Sequence, residues 1–297
     1  MAQSVDSRNF VYYTSIHKVA QVCDIRKQGA EVMTTELYYF TGTGNGLHVA
    51  KSIKKSLEAI SQETKLIPIN TLNLSNVIYS NADRVGVIYP TYAVTAPAIV
   101  KSFAKQLRVS PNAYTFLYAH SGSGSTGVAI PVIENILAQN DVRVSNVFGT
   151  HFPSNSAVMT YTPEKLSSTL SKAEESVQLN LTSIMDMVSR EMPKPNRLKG
   201  ISYQIVESLG AATENALGFK IIQANDDCVG CSLCSKVCPK ANIEMKDSKP
   251  VFEKKCEMCF SCINNCPKKS LAFKKMNRKK LLSYRHPEVT VTELMYR

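Results

Sequence analysis

Long apolar runs are missing from this sequence. No stretch of 18 apolar residues occurs in its 297 positions, so no membrane-spanning helix is expected. The first residues hold no apolar core followed by a small-residue cleavage site, so no secretory signal is expected. Asp6, Asp24 and Glu31 stand among the basic residues there, which argues against an organelle transit peptide. The cytoplasm is the expected location. Cysteine is also scarce until residue 228. Cys23 stands alone before it and is expected to be an ordinary thiol.

The other eight of the nine cysteines fall between 228 and 266. Cytosolic thiols stay reduced, so such a cluster points to a metal site rather than to disulfides. Charge is uneven in the same way. From 228 to 297 there are 15 Lys and Arg against 6 Asp and Glu, a net of +9. The remainder holds 20 against 18, a net of +2. The basicity belongs to the cysteine-rich end.

Residues 1–35 show no clean periodicity and are expected to form an extension before the folded part. Strand and helix patterns then alternate. Leu37-Tyr38-Tyr39-Phe40 is a short apolar run ending in Thr41-Gly42-Thr43-Gly44-Asn45-Gly46, and a helical face follows at Leu47, Ala50, Ile53, Leu57 and Ile60. Further strands are expected at 65–69, 84–89, 114–119 and near 142–149, with helices at 98–107 and near 128–139. A last helix carries Leu166, Leu170, Ala173, Val177, Leu181, Ile184 and Val188, with Thr162 as cap and Pro163 at its first position. Five apolar strands alternating with helices imply an α/β fold, a parallel sheet covered on both faces. Ligands of such sheets bind beyond the carboxyl ends of the strands. The expected division is 36–192 for this domain, 193–225 for a linker with a short helix near Ile205, Val206 and Leu209, and 226–297 for a small domain.

Two motifs define the small domain: Cys228-x2-Cys231-x2-Cys234-x3-Cys238-Pro239 and Cys256-x2-Cys259-x2-Cys262-x3-Cys266-Pro267. Repeated in this way, the run is the signature of bacterial two-cluster ferredoxins. Three cysteines two residues apart let a tight loop wrap three corners of an iron–sulfur cube, and the fourth thiolate comes from the other motif. The expected ligand sets of two [4Fe–4S] clusters are therefore Cys228, Cys231, Cys234 and Cys266, and Cys256, Cys259, Cys262 and Cys238. Structural zinc is the alternative, but zinc favours paired cysteines, four to an ion. Between the motifs, Ile243–Met245 and Val251–Phe252 are expected to form a hairpin over the clusters, with Leu271–Phe273 covering them after the second motif.

The stretch Thr41-Gly42-Thr43-Gly44-Asn45-Gly46 suits a phosphate cradle, because glycines allow close approach and a helix amino terminus favours an anion. A plain tight turn is the bland alternative. A nucleoside-triphosphate loop is excluded, since no Gly-Lys-Ser/Thr closes the stretch. Gly122-Ser123-Gly124-Ser125-Thr126-Gly127 matches a dinucleotide fingerprint weakly, but Asp141 precedes its strand, whereas a ribose-binding acid should follow one.

Residues 36–190 resemble a flavodoxin-like domain. The whole chain from about residue 36 resembles flavodoxin–ferredoxin fusions: Phe40–Gly46 is similar to the phosphate loop for flavin mononucleotide (FMN), Tyr89-Pro90-Thr91-Tyr92 to the second flavin loop, Phe152-Pro153-Ser154-Asn155 to the Pro-x-Asn loop, and Arg285–Thr290 to the terminal segment. The resemblance implies a doubly wound five-stranded sheet of order 2-1-3-4-5, bound FMN and a small α+β two-cluster ferredoxin domain. It implies no substrate and no catalytic residue. The phosphate loop of the family usually ends in Ser or Thr, and Gly46 stands here instead, a loss of about 1–2 kcal/mol of phosphate binding. Tyr92 is the expected stacking partner of the flavin ring, with Phe152 a weaker candidate. His120 and His151 are expected to be structural.

Lys268, Lys269, Lys274, Lys275, Arg278, Lys279 and Lys280 form a solvated basic face or a docking face for an acidic redox protein. No recognition fold or amphipathic anchor points to nucleic acid or a membrane surface. Three functions follow: an electron carrier between clusters, FMN and a partner; a flavin-dependent reductase of a small substrate fed by its own clusters; or a redox-sensing nucleic-acid binder driven by the basic tail, which would need salt-dependent binding.

Overall fold

A computed structural model of the chain describes residues 32–71, 74, 76–92, 94–156, 161–191, 222–273 and 283–296. The expected short helix near 205–209, Cys23 and the lysines and arginine from 274 to 280 lie outside these residues.

The sheet region runs β1 (Thr34–Tyr39), α1 (Asn45–Ala59), β2 (Glu63–Pro68), β3 (Ile78–Ser80), β4 (Arg84–Pro90), α2 (Ala98–Gln106), β5 (Leu107–Val109), β6 (Tyr114–Ser121), α3 (Ala129–Ala138), β7 (Asn146–His151) and α4 (Pro163–Met185). Five strands pair in parallel in the order β2-β1-β4-β6-β7. Counting only these five, the order is 2-1-3-4-5, the flavodoxin-like arrangement. Alternate side chains of each strand point to opposite faces, and both faces are buried. Leu37, Tyr39, Ile88, Phe116 and Tyr118 join one core with α1 and α4; Tyr38, Phe40, Val87, Tyr89, Leu117 and Ala119 join the other with α2 and α3. Double burial explains why these strands are apolar runs rather than alternating ones.

Several boundaries move. Thr34 and Thr35 belong to β1, not to the extension: Thr34 donates from its amide and hydroxyl to Asp83 Oδ2 at 2.8 and 3.0 Å, and Thr35 accepts from the buried Arg84. The last strand of the sheet begins at Asn146 rather than 142. Val142 and Val144 are buried, but Asp141 turns the chain at φ 58° and Val142 N–H still closes the end of α3 on Leu137, so their apolar pattern fills core without pairing. Thr162 caps α4 by accepting from Lys165 N–H, with Pro163 at the first position. Val188 lies beyond that helix and is exposed. The short parallel pair β3 and β5 escapes periodicity because each strand has only three residues.

The small region comprises β8 (Ile222–Ala224), α5 (Leu233–Lys236), β9 (Ile243–Lys246), β10 (Lys249–Phe252), α6 (Ser261–Asn265), β11 (Leu271–Phe273) and a 3-10 turn at Thr292–Leu294. β9 and β10 form the expected antiparallel hairpin, turning on Asp247 and Ser248 at φ 46° and 59°, a left-handed pair suited to a two-residue loop. β8 pairs with β11, so residues 222–224, expected in the linker, are part of this region. Its buried residues Ile222, Val237, Ile243, Ile263, Leu271 and Phe273 share one apolar cluster with α1 and α4.

Gly86 lies in the centre of the sheet, where a Cβ would meet Leu37 Cδ2 at 2.8 Å and the Phe116 ring. Gly86→Ala is expected to cost about 1–3 kcal/mol through overpacking, checked by the urea midpoint at unchanged m-value.

Candidate iron–sulfur centre and phosphate loop

The repeat of the two motifs is also a repeat of backbone conformation. An offset of 28 residues relates Cys228 to Cys256 and Cys238 to Cys266. The same offset relates the left-handed positions Gly230 and Met258, Ser232 and Phe260, and Ala241 and Lys269. Left-handed non-glycine residues cost energy. Here they turn amides inward onto sulfur: Asn242 N–H donates to Cys238 Sγ at 3.3 Å, Ser270 N–H to Cys266 Sγ at 3.4 Å and Met258 N–H to Cys256 Sγ at 3.4 Å.

The eight thiols surround two cavities. Cys228, Cys231, Cys234 and Cys266 line one; Cys238, Cys256, Cys259 and Cys262 line the other. Each ring takes three thiols from one motif and one from the other. Among the described residues, no three His, Cys, Asp or Glu side chains converge on a single-ion position. A tetrahedral zinc needs four sulfurs about 2.3 Å from one centre, whereas a cube takes one thiolate at each of four irons. The donor set and its spread therefore fit a cluster.

Electrostatics demand a cationic core. Burial pushes the Cys234 thiol up to about 11, and the charges of Cys231, Cys228 and Cys266 add to this. Cys259 and Cys262 rise well above the usual thiol range, again through burial first and then through thiolates of their own ring. Four thiolates in a dry cavity repel one another unless iron charge balances them. The short helices α5 and α6, carrying Cys234 and Cys262, pack against each other, so the two rings adjoin.

The rings differ in surroundings. Cys231 is exposed, whereas Cys259 and Cys262 are buried. The Cys259 loop packs on the carboxyl edge of the sheet. Asn155 Nδ2 donates to Cys259 O at 3.1 Å, and Asn264 Nδ2 donates to Asn155 O at 3.1 Å. A Cβ at Gly42 would collide with Cys259 O. Glu257 accepts from Ile99 N–H at 3.0 Å in the first turn of α2, where a carboxylate suits the helix dipole. Thr71 N–H and Oγ1 donate to Pro239 O.

The loop 41–46 connects β1 to α1 at this edge, and all six residues are buried. Gly44 stands at φ 105° as the residue before α1, and no side chain caps the helix. A buried, uncapped helix amino terminus leaves N–H groups in want of an acceptor. Thr91 Oγ1, Ser121 Oγ and His120 Nε2 are buried polar atoms without partners among the described residues at the ends of β4 and β6. These features fit a phosphate and its attached group. Thr41 instead accepts from Gly44 N–H at 2.9 Å, and Asn45 is held by Tyr284 OH at 2.6 Å and by Pro153 O. Both side chains shape the loop.

Sequence reasoning missed who holds the loop from outside. Residues 283–296 lace over it: His286 N–H donates to Thr43 O at 2.8 Å, and Tyr296 OH to Thr41 O at 3.2 Å. The His286 ring stacks on His48 at 3.9 Å, and His48 Nε2 lies 2.7 Å from Glu174 Oε2. Phe152, expected at the flavin ring, is a core residue: it is 1% exposed and meets His48, His120 and His286 edge-on. Tyr92 lies edge-on to Phe40, and its hydroxyl is pushed well above the ordinary phenol range by burial and the Cys259 charge. It faces the cysteine loop. His151 is exposed and meets Gly122 O at 3.0 Å.

Residues 220–267 match the family model described as a 4Fe-4S dicluster domain. The chain thus joins a parallel sheet of flavodoxin-like strand order to a region that matches the iron–sulfur dicluster model. No curated protein matches the chain. Among solved structures it is similar to the rubredoxin oxygen:oxidoreductase of Desulfovibrio gigas, at 14% identity and TM-score 0.33 over 51% of this chain and 37% of that one. It is also similar to a flavodoxin from the domain Archaea, at 13% identity and TM-score 0.33 over 52% of this chain and 99% of that one. Among the described residues no helix is long and apolar enough to cross a membrane.

His120 and His286 are both held at about 3, below the usual 6.5; burial is the main cause, with His286 acting on His120 and His48 on His286. The unfolded chain takes these protons near pH 6.5, the folded one only near 3. Their contribution is whole above about 6.5 and is lost as pH falls toward 3. The denaturation midpoint is therefore expected to fall as pH drops from about 7 to about 5, and His286→Gln should flatten that slope, followed by far-ultraviolet dichroism.

Proposed function

We propose that this chain is an electron-transfer protein of a reducing compartment, the cytoplasm. It holds one [4Fe–4S] cluster on Cys228, Cys231, Cys234 and Cys266, a second on Cys238, Cys256, Cys259 and Cys262, and FMN at the loop 41–46. Thr43, Gly44, Asn45 and Gly46 would cradle the phosphate, with Gly42 and Asn155 fixing the loop against the inner cysteine ring. Clusters pass single electrons, and FMN accepts one or two. Tyr92 would flank the ring system from the side of the Cys259 loop.

One observation carries the reading. Helices α5 and α6, which carry Cys234 of one ring and Cys262 of the other, pack together, and the Cys259 carbonyl of the inner ring touches the loop that would hold the flavin phosphate. Electrons arriving at the exposed ring would pass to the buried ring and then to the sheet edge. The exposed ring also bears the charge for a partner: Lys268 lines its cavity, Lys269 is exposed nearby, and Lys249 Nζ donates to Cys228 O at 3.2 Å. An acidic redox protein suits this face.

Anaerobic purification is expected to yield about eight irons and one FMN per chain. Colourless protein carrying zinc would end the reading. Cys266→Ser should remove the cluster of the first motif, not the second, leaving about four irons. The electron paramagnetic resonance of the remaining cluster should match that of a Cys228→Ser chain.

A further inference from the structure

Position 46 cannot carry the hydroxyl that a phosphate loop would use there. A Cβ at Gly46 would come within 2.6 Å of Phe40 O, and a backbone oxygen has little room to move. A donor for that side of the phosphate must therefore come from elsewhere in the chain. His120 is in place to supply it. Its residue is 6% exposed, and its Nε2 atom is buried without a hydrogen-bond partner among the described residues. That nitrogen lies 3.3 Å from where the Cβ of residue 46 would be, in the first turn of α1. The amino terminus of α1 is itself buried and uncapped. Two independent features thus converge on one point: an uncapped helix end and an orphaned ring nitrogen.

We propose that His120 Nε2–H donates a hydrogen bond to the phosphate of FMN at the amino terminus of α1, in place of the hydroxyl missing at position 46. This rests on the FMN reading given above and assigns it a ligand residue on β6 that the loop motif does not contain. A neutral imidazole already carries one N–H to donate, and in the free protein burial with His286 nearby holds His120 in that form. Phe152, edge-on at 5.7 Å, fixes the ring plane.

The test compares FMN with riboflavin, which lacks the phosphate. Flavin is removed from the purified, cluster-loaded chain, and each ligand is titrated back by fluorescence quenching. The wild-type chain should prefer FMN. His120→Phe keeps an aromatic ring without a donor; it should weaken FMN about ten- to a hundredfold, the range for a hydrogen bond to a charged group. Its riboflavin affinity should equal that of the wild type, which also shows that the variant is folded. His120→Gln, which can donate from the same region, should recover much of the FMN preference. An unchanged FMN-to-riboflavin ratio in His120→Phe overturns the assignment of His120 and leaves the FMN reading standing. A wild-type chain that binds neither flavin overturns both.

Discussion

The contact between Gly42 and the carbonyl of Cys259 ties the two halves of the molecule together. No side chain fits at position 42 while that carbonyl stays where it is, so the phosphate loop and the inner cysteine loop are built to touch. Around this point, Asn155 and Asn264 fix the cysteine loop, Glu257 caps α2, and Thr71 binds Pro239. Most of these bonds end on backbone atoms. They hold position without depending on particular neighbours, and on the sheet side they involve the residues after β2 and β7 and the first turn of α2. Electron transfer between bound groups needs a short, fixed separation more than it needs reactive side chains. That is the property this edge supplies.

The thiols impose the second constraint. Buried together without a cationic core they hold their protons, as the upward shifts of Cys234, Cys259 and Cys262 express. The fold of the small region is therefore coupled to its iron: the ring closes as a set of thiolates only when positive charge sits at its centre. The left-handed backbone at Met258, Phe260, Ser232 and Lys269 belongs to the same account. Strain of that kind persists where the surroundings over-determine it, and here amide-to-sulfur hydrogen bonds are its return.

The elements with long apolar periodicity were legible from sequence, and so were the cysteine rings, because the repeated motif is the two-cluster ferredoxin signature, in which the fourth thiolate crosses between motifs. What stayed hidden had weak or misleading local signals. Val142 and Val144 look like strand but fill core. Thr34 and Thr35 look like tail but pair in the sheet because Asp83 and Arg84 receive them. Phe152 is buried among three imidazoles, one of them from the far end of the chain, a setting its own stretch does not announce. Each of these outcomes is decided by residues far away in the chain, which periodicity does not register.

The terminal segment shows the same limit most clearly. His286, Tyr284 and Tyr296 lie some 240 residues beyond the loop they hold, as the separations of 239 between Tyr284 and Asn45 and 255 between Tyr296 and Thr41 state. Their function on the loop is to occupy its outer side: Val289 and His286 approach Gly44 so closely that a Cβ there would sit 3.0 Å from each. The two glycines at 42 and 44 thus answer to two different covers, the cysteine loop on one side and the terminal segment on the other. A loop covered on both sides is kept dry, and in a dry site a helix end attracts an anion far more strongly than it would in water. Covering this loop is thus a requirement met by residues from both ends of the described chain.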